Sequence, residues 1–314
     1  MTATTDEIVI EAQGLKRRFG AVEAVRDISL TIMRGEIFGL VGADGAGKTT
    51  IMRLLAGVLR PDAGAIRVAG VDVVAEPKRV RSELSYMPQR FGLYEDLTVA
   101  ENIFFYSELF SVSPRERRAR TGQLLEAAGL APFQRRLAGQ LSGGMKQKLG
   151  LVCALIHTPR VLLLDEPTTG VDPVSRRDFW AILYNLRESG VTILLSTAYM
   201  DEAERCSRVA LLQAGQIRSC DTPSRLKQAM PGALLDVVAD DPGAANQALK
   251  DAPGVLGLLL MGDRVHVRVD DAGRRSPELR ARLAERAIAH TEITTIEPGI
   301  EDVFVALLEP DGAA

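Results

Sequence analysis

The sequence predicts an α/β domain in which helices cover a sheet, followed by a small α+β domain. Three observations predict it. From Ile8 to about Met230, short β-branched runs alternate with longer helical patterns. One of those runs, residues 36–41, passes through a glycine-rich turn straight into a helical pattern, the kind of strand end at which α/β folds place ligands. After Pro231-Gly232 the order changes to roughly strand, helix, strand, strand, helix, strand, as a split βαβ unit requires. The expected domains are residues 1–230 and 231–314.

In the first domain the clearest strands are 36–41, Val161–Asp165 and 191–196, each followed at once by a loop or a helix start. Residues 98–110 and 114–129 read as helices between them. The second carries Arg115, Arg117, Arg118 and Arg120, which reads as a solvated face. In the second domain the expected strands are 234–239, 256–261, Arg264–Val269 and 292–296, with helices over 244–250 and 277–289. Ile300–Leu308 is amphipathic and is expected to pack on one of the two domains.

Composition narrows the function classes. The chain has 314 residues, 46% of them hydrophobic, enough for a substantial core. Its net charge of −3 supplies no basic field for nucleic acid. Cys153, Cys206 and Cys220 are odd in number and widely spaced, which suits neither a disulfide framework nor a zinc site and points to a reducing cytosol. The N-terminal segment carries Asp6 and Glu7 where a signal peptide would be basic, so export is not expected. The longest apolar clusters are strand-sized, so any membrane role is expected to require a partner.

The turn after residue 41 is Gly42-Ala43-Asp44-Gly45-Ala46-Gly47-Lys48-Thr49-Thr50, a full phosphate-binding loop. Its glycines let backbone N–H groups converge on phosphate oxygens, and the helix N-terminus adds positive potential. Lys48 is expected to reach the β- and γ-phosphates and the Thr49 hydroxyl to ligate magnesium. Val161–Asp165 ends in adjacent acids, Asp165 and Glu166. Asp165 would hold the magnesium, directly or through water, and Glu166 would polarise the water that attacks the γ-phosphate. An acidic surface turn is the alternative for this pair taken alone.

Between these elements lies Leu141-Ser142-Gly143-Gly144-Met145-Lys146-Gln147, followed by an apolar helical run over 149–156. Here the sequence resembles the ABC ATPase family, over about residues 8–230. The resemblance implies an ABC-type P-loop ATPase fold, a mixed sheet with helices plus a helical subdomain at about residues 90–160, with ATP and Mg2+ as cofactors. It implies that the seven-residue signature grips ATP bound to a second ATPase domain, in a homodimer or an asymmetric heterodimer. It also implies that Gln89 contacts magnesium and the attacking water, that Asp172 crosses the dimer interface and that Phe19 stacks on adenine. Core packing is the alternative for Phe19.

The wording of the phosphate loop, of the stretch Phe91-Gly92-Leu93-Tyr94-Glu95-Asp96-Leu97-Thr98-Val99 and of Ser196-Thr197-Ala198-Tyr199-Met200-Asp201-Glu202-Ala203-Glu204 resembles the subgroup that serves drug exporters with ABC-2-type permeases. The tail Glu297-Pro298-Gly299-Ile300-Glu301-Asp302-Val303-Phe304 resembles the ending of its small C-terminal domain. The implied protein is an ATPase subunit on the cytoplasmic face of the membrane, powering transmembrane permease subunits. Non-transport relatives act in translation or DNA repair with paired domains or long coiled-coil insertions, and this sequence shows neither.

One position departs from the family. Where the resemblance places a histidine that contacts the γ-phosphate, this chain has Ala198, which offers no donor to developing negative charge. Losing one such donor typically slows an enzyme about 10²–10³-fold. The expectation is ATP binding with slow turnover at this chain's own loop, unless another group or water substitutes. A regulatory subunit that binds ATP without turnover is the alternative.

Overall fold

The computed structural model describes residues 7–90 and 92–308, so Phe91 of the subgroup wording lies outside it. The chain opens with two long strands, β1 (Ile8–Phe19) and β2 (Val22–Met33), which pair antiparallel. Next come β3 (Ile37–Val41), α1 (Lys48–Leu55), β4 (Ala63–Val68), β5 (Val71–Asp72), α2 (Pro77–Glu83) and β6 (Leu84–Met87). A helical segment follows: α3 (Val99–Leu109), α4 (Pro114–Ala127) and α5 (Gly143–Leu155). The chain then returns to the sheet with β7 (Val161–Asp165), α6 (Pro173–Glu188), β8 (Thr192–Thr197), α7 (Met200–Ala203), β9 (Arg208–Gln213) and β10 (Gln216–Asp221). The rest comprises α8 (Pro223–Gln228), β11 (Ala233–Ala239), α9 (Pro242–Leu249), β12 (Val255–Met261), β13 (Arg264–Val269), α10 (Ala272–Glu285), β14 (His290–Ile296) and α11 (Ile300–Leu308).

The architecture is mixed α/β, in agreement with the expected fold class, and it divides into two compact units between Ser219 and Cys220. Six strands run in the order β10-β9-β3-β8-β7-β6, and the pairs β9–β3, β3–β8, β8–β7 and β7–β6 are parallel. The central strands are apolar on both faces and fully buried, as parallel strands under helices must be. A second, antiparallel sheet has the order β2-β1-β4-β5. Between them α1 buries Ile51, Met52, Leu54 and Leu55 in one cluster with Phe38, Leu40, Ile10 and Ile32.

Register decides what these strands can build. Val41 lies opposite Thr197, and Asp165 opposite Ser196. The C-terminal ends of β3, β8 and β7 therefore lie side by side, which brings together chain segments more than a hundred residues apart.

The helical segment has its own core of Val99, Ile103, Leu125, Leu149, Val152 and Ile156. Its helices are closed by local chemistry. Thr98 and Glu101 form a reciprocal capping box on α3, and Ser113 and Glu116 do the same on α4, each satisfying N–H groups the helix cannot.

The second unit is one antiparallel sheet in the order β12-β13-β11-β14, with α9 and α10 over one face. Leu235, Val237, Val265, Val267 and Val269 alternate along β11 and β13 to meet Ala245, Leu249, Leu279 and Leu283 from those helices. The α10 helix starts five residues earlier than Pro277, where the sequence suggested it begins. Asp271 caps it by accepting from Arg274 N at 2.8 Å, and Pro277 sits inside the helix. It ends earlier too, because Ala287 turns into the left-handed region at φ 54°.

Candidate functional site

The phosphate loop is held open by close backbone approaches that only glycine permits. Gly47 has φ 108°, and a β-carbon there would lie 2.4 Å from the carbonyl oxygen of Ala24. Gly42 runs equally close to Leu212 O. From behind, Gly215 N donates to Ala46 O at 2.9 Å, and Gly42 N donates to Thr197 O at 3.4 Å.

Lys48 opens α1 with a side chain only 3% exposed. Its ammonium donates to Gly42 O at 2.8 Å and Ala43 O at 3.2 Å and pairs with Glu166 Oε1 at 3.1 Å. Asp44, by contrast, is almost fully exposed and 3.9 Å away. Glu166 takes the left-handed conformation at φ 49°, a strain of ~1–2 kcal/mol for a residue with a β-carbon. Its backbone N donates to Ser196 Oγ at 3.0 Å, and its Oε2 accepts from Gln89 Nε2 at 3.0 Å. Both neighbours hold the carboxylate at the cleft.

Asp165 is buried, and three hydroxyls satisfy it. Thr49 Oγ1 donates to Oδ1 at 3.1 Å, Ser196 Oγ to Oδ1 at 2.7 Å and Tyr86 OH to Oδ2 at 3.0 Å. Burial, and next the negative charge of Asp165, push the Tyr86 phenol up to about 12, so it remains a donor at ordinary pH. The juxtaposition of Thr49 Oγ1 and a buried carboxylate supplies the hard oxygen donors that magnesium prefers, so the residues fit that ion.

The cleft in front of this cluster has a volume of about 550 Å³ and is lined by the loop residues Asp44, Gly45, Gly47, Lys48, Thr49 and Thr50. Gln89 and Glu166 close one side, and Val22, Ala24, Arg26 and Ala214 the other. Phe19 stands at the end of β1, 45% exposed, with the Arg17 guanidinium 4.9 Å over its ring, and it is not among the lining residues. Ala46 is buried beneath the loop.

None of Leu141, Ser142, Gly143, Gly144, Met145, Lys146 and Gln147 lines this cleft. Ser142 caps α5 by accepting from Met145 N at 3.3 Å, Lys146 pairs with Glu95 at 2.6 Å, and Leu141 is buried in the helical core. Asp172 caps α6 by accepting from Ser175 N at 2.9 Å, and hydrogen bonds from Ser175 hold its carboxyl below the ordinary range. Ala198 follows β8 directly and is exposed. His157 cannot replace a histidine there. It stacks on Phe110 and approaches Leu84 O, near the starts of β6 and β7, at the other end of the sheet from Asp165.

Sequence reading passed over Tyr86 and Ser196, which sit in motif flanks, and over Glu202. The latter is a carboxylate 1% exposed that accepts from Thr168, Thr197 and Trp180. Position alone gave no sign that these side chains converge.

The ABC transporter family model matches residues 25–169, which span the phosphate loop, the signature and both acids. A daunorubicin resistance ATP-binding protein of Streptomyces coeruleorubidus is 35% identical over 97% of this chain and 97% of its own length. The chain belongs to the ABC transporter ATP-binding family. The probable multidrug ABC transporter ATP-binding protein YbhF of Escherichia coli is 42% identical over 98% of this chain, which spans about half, 54%, of that relative. Among solved structures, an ATP-binding subunit of an ABC transporter superposes with a TM-score of 0.64 at 29% identity, covering 70% of this chain and 92% of its own. Membership explains why one loop, two acids and a remote signature occur in this order.

Proposed function

We propose that this ABC ATP-binding chain binds MgATP in the cleft, hydrolyses it slowly by itself, and acts as one of two ATPase domains that power ABC-2-type permease subunits exporting drugs or other hydrophobic compounds. The observation that carries the reading is the Lys48–Glu166–Gln89 cluster at the mouth of the phosphate loop. Lys48 orients the β- and γ-phosphates, and the loop amides of Gly45, Ala46 and Gly47 surround them. Glu166 holds the attacking water with Gln89 and takes its proton. Phe19 offers its ring to adenine. Thr49 and Asp165, with Gln89 alongside, would hold magnesium, which would supply positive charge against the phosphates.

Two observations support partners. Leu141–Gln147 and Asp172 lie outside the chain's own cleft, as a site completed by a second ATPase domain requires. In α3 and the loop before it, Tyr94, Phe104 and Leu109 are exposed apolar side chains, suited to a permease surface. No helix among the described residues is long and apolar enough to cross a membrane, and the place of a peripheral subunit on the cytoplasmic face is part of the same proposal. The drug-export role rests on what the names of the relatives say of those proteins.

The bare methyl of Ala198 also favours a second reading, a subunit that binds ATP and leaves hydrolysis to its partner. Phosphate release from MgATP by the purified chain separates the two. The expected result is slow turnover that Ala198→His raises by about 10²–10³-fold, with Glu166→Gln abolishing the gain. A wild-type chain already as fast as Ala198→His would overturn the slow-site assignment. A chain that binds MgATP but releases no phosphate either as wild type or as Ala198→His would leave the regulatory reading standing.

A further inference from the structure

Glu202 is a buried carboxylate with no assigned part in ATP chemistry, and its partners come from three separate segments. Its Oε2 accepts from Thr197 Oγ1 at 2.7 Å, at the end of β8 and next to Ala198. Its Oε1 accepts from Thr168 Oγ1 at 2.6 Å, two residues beyond Glu166 on the way to Asp172. The same oxygen accepts from Trp180 Nε1 at 3.2 Å and from Arg176 at 3.3 Å, both on α6, the helix that Asp172 caps. Thr197 is tied in further by Tyr199 N, which donates to its hydroxyl at 2.9 Å.

These contacts form an unbroken route. The phosphate loop reaches Thr197 through Gly42 N and Thr197 O, Thr197 reaches Glu202, and Glu202 reaches Thr168. Thr168 O accepts from Val171 N at 3.1 Å, which shapes the turn into Asp172. A fully satisfied buried carboxylate holds its partners in one arrangement, because moving any of them leaves a desolvated charge short of a hydrogen bond. A displacement of the loop on one side of Glu202 must therefore be met by a displacement on the other. Ala198, which follows Thr197 at the end of β8, offers no side-chain donor, which leaves the backbone and the Thr197 hydroxyl as the connection on this side.

We propose that Glu202 is a positioning residue that couples the occupancy of the phosphate loop to the conformation of residues 168–172, the segment expected to face the second ATPase domain. This rests on the ATP reading above and adds the route by which the bound nucleotide is felt at the dimer contact.

The test uses the full chain and needs no hydrolysis. MgATP affinity is measured by equilibrium titration, and amide hydrogen exchange is followed in the peptide containing residues 168–172 with and without MgATP. In the wild type, MgATP slows exchange there. Glu202→Gln keeps the volume, but its amide nitrogen cannot accept from a hydroxyl or an indole N–H. It retains MgATP affinity and loses the slowing. Thr197→Val behaves the same way and carries the test if Glu202→Gln does not fold, while Thr197→Ser, which keeps the hydroxyl, retains the slowing. A merely structural role would change exchange equally with and without nucleotide, and that outcome overturns the proposal. So does a wild type that binds MgATP without a response at 168–172, or a response that survives in both Glu202→Gln and Thr197→Val. A wild-type chain that binds no MgATP overturns the ATP reading itself, and the coupling with it.

Discussion

Tyr86 donates its phenol hydrogen to Asp165 Oδ2 from β6, the strand next to β7. Its pKa is raised to about 12 by burial first and by the Asp165 charge second. In the unfolded chain the phenol ionises near its ordinary value of 10, so above that pH the unfolded state sheds a proton that the folded state keeps. The contribution is whole below pH 10 and is lost as pH rises towards about 12. Tyr86→Phe is expected to cost about 1 kcal/mol of stability near neutral pH, measured by urea unfolding. The gap to the wild type should narrow at about pH 11, where the wild type loses a stabilisation the variant never had. Phosphate loop, paired acids and signature were legible in the sequence because each is contiguous and its chemistry is local. Tyr86, Ser196 and Glu202 were not, because their roles exist only once β6, β7 and β8 lie in register. Glu202 is the sharper case: Asp201, Glu202 and Glu204 stand together in the sequence with nothing to tell them apart, yet Glu202 alone of the three is buried.

Elements were legible to the extent that one local signal decided them. Val161–Asp165 and Arg264–Val269 form as the apolar run and the alternation suggested. The α10 boundary failed because a proline usually starts a helix, whereas here the Asp271 cap and the ion pairs of Arg275 with Asp270 and Glu278 start it a turn and a half sooner. The packing of α5 against α6 left no sequence signal at all. A β-carbon at Gly144 would lie 2.5 Å from both Cβ and Oγ of Ser175, so the signature helix touches the start of α6 with no room for a methyl group. Gly144 in the signature thus carries a packing constraint as well as an anion-binding expectation. Gly144→Ala should destabilise the chain by about 1–3 kcal/mol in urea unfolding. Adding Ser175→Gly removes both clashing atoms and should recover most of the loss relative to Ser175→Gly alone. Additive losses in the double variant would show that the contact does not limit the approach of α5 to α6.

At the scale of the whole chain, the cleft draws every lining residue from the unit ending at Ser219, and the chain's single tryptophan, Trp180, lies in the same unit. Trp180 is buried and bonded to Glu202, so its fluorescence reports the unfolding of that unit without labels. A ligand that binds only the folded state stabilises it by mass action, ~2.7 kcal/mol at a hundredfold excess over Kd. MgATP should therefore raise the Trp180 unfolding midpoint, and Lys48→Ala should abolish the rise. The second unit has a different lever. Arg275, buried against Gly254, bonds to Asp270 and lowers its pKa from 3.8 to about 2. For a carboxylate with a depressed folded-state pKa, the stabilisation is full above pH 3.8 and is lost as pH falls through about 2. Circular dichroism should show the wild type losing stability across that window more steeply than Asp270→Asn. The MgATP shift of the Trp180 midpoint near neutral pH should be the same in both proteins, because Asp270 contributes nothing to the cleft. A nucleotide shift that vanishes in Asp270→Asn would contradict the assignment of the whole binding site to the first unit.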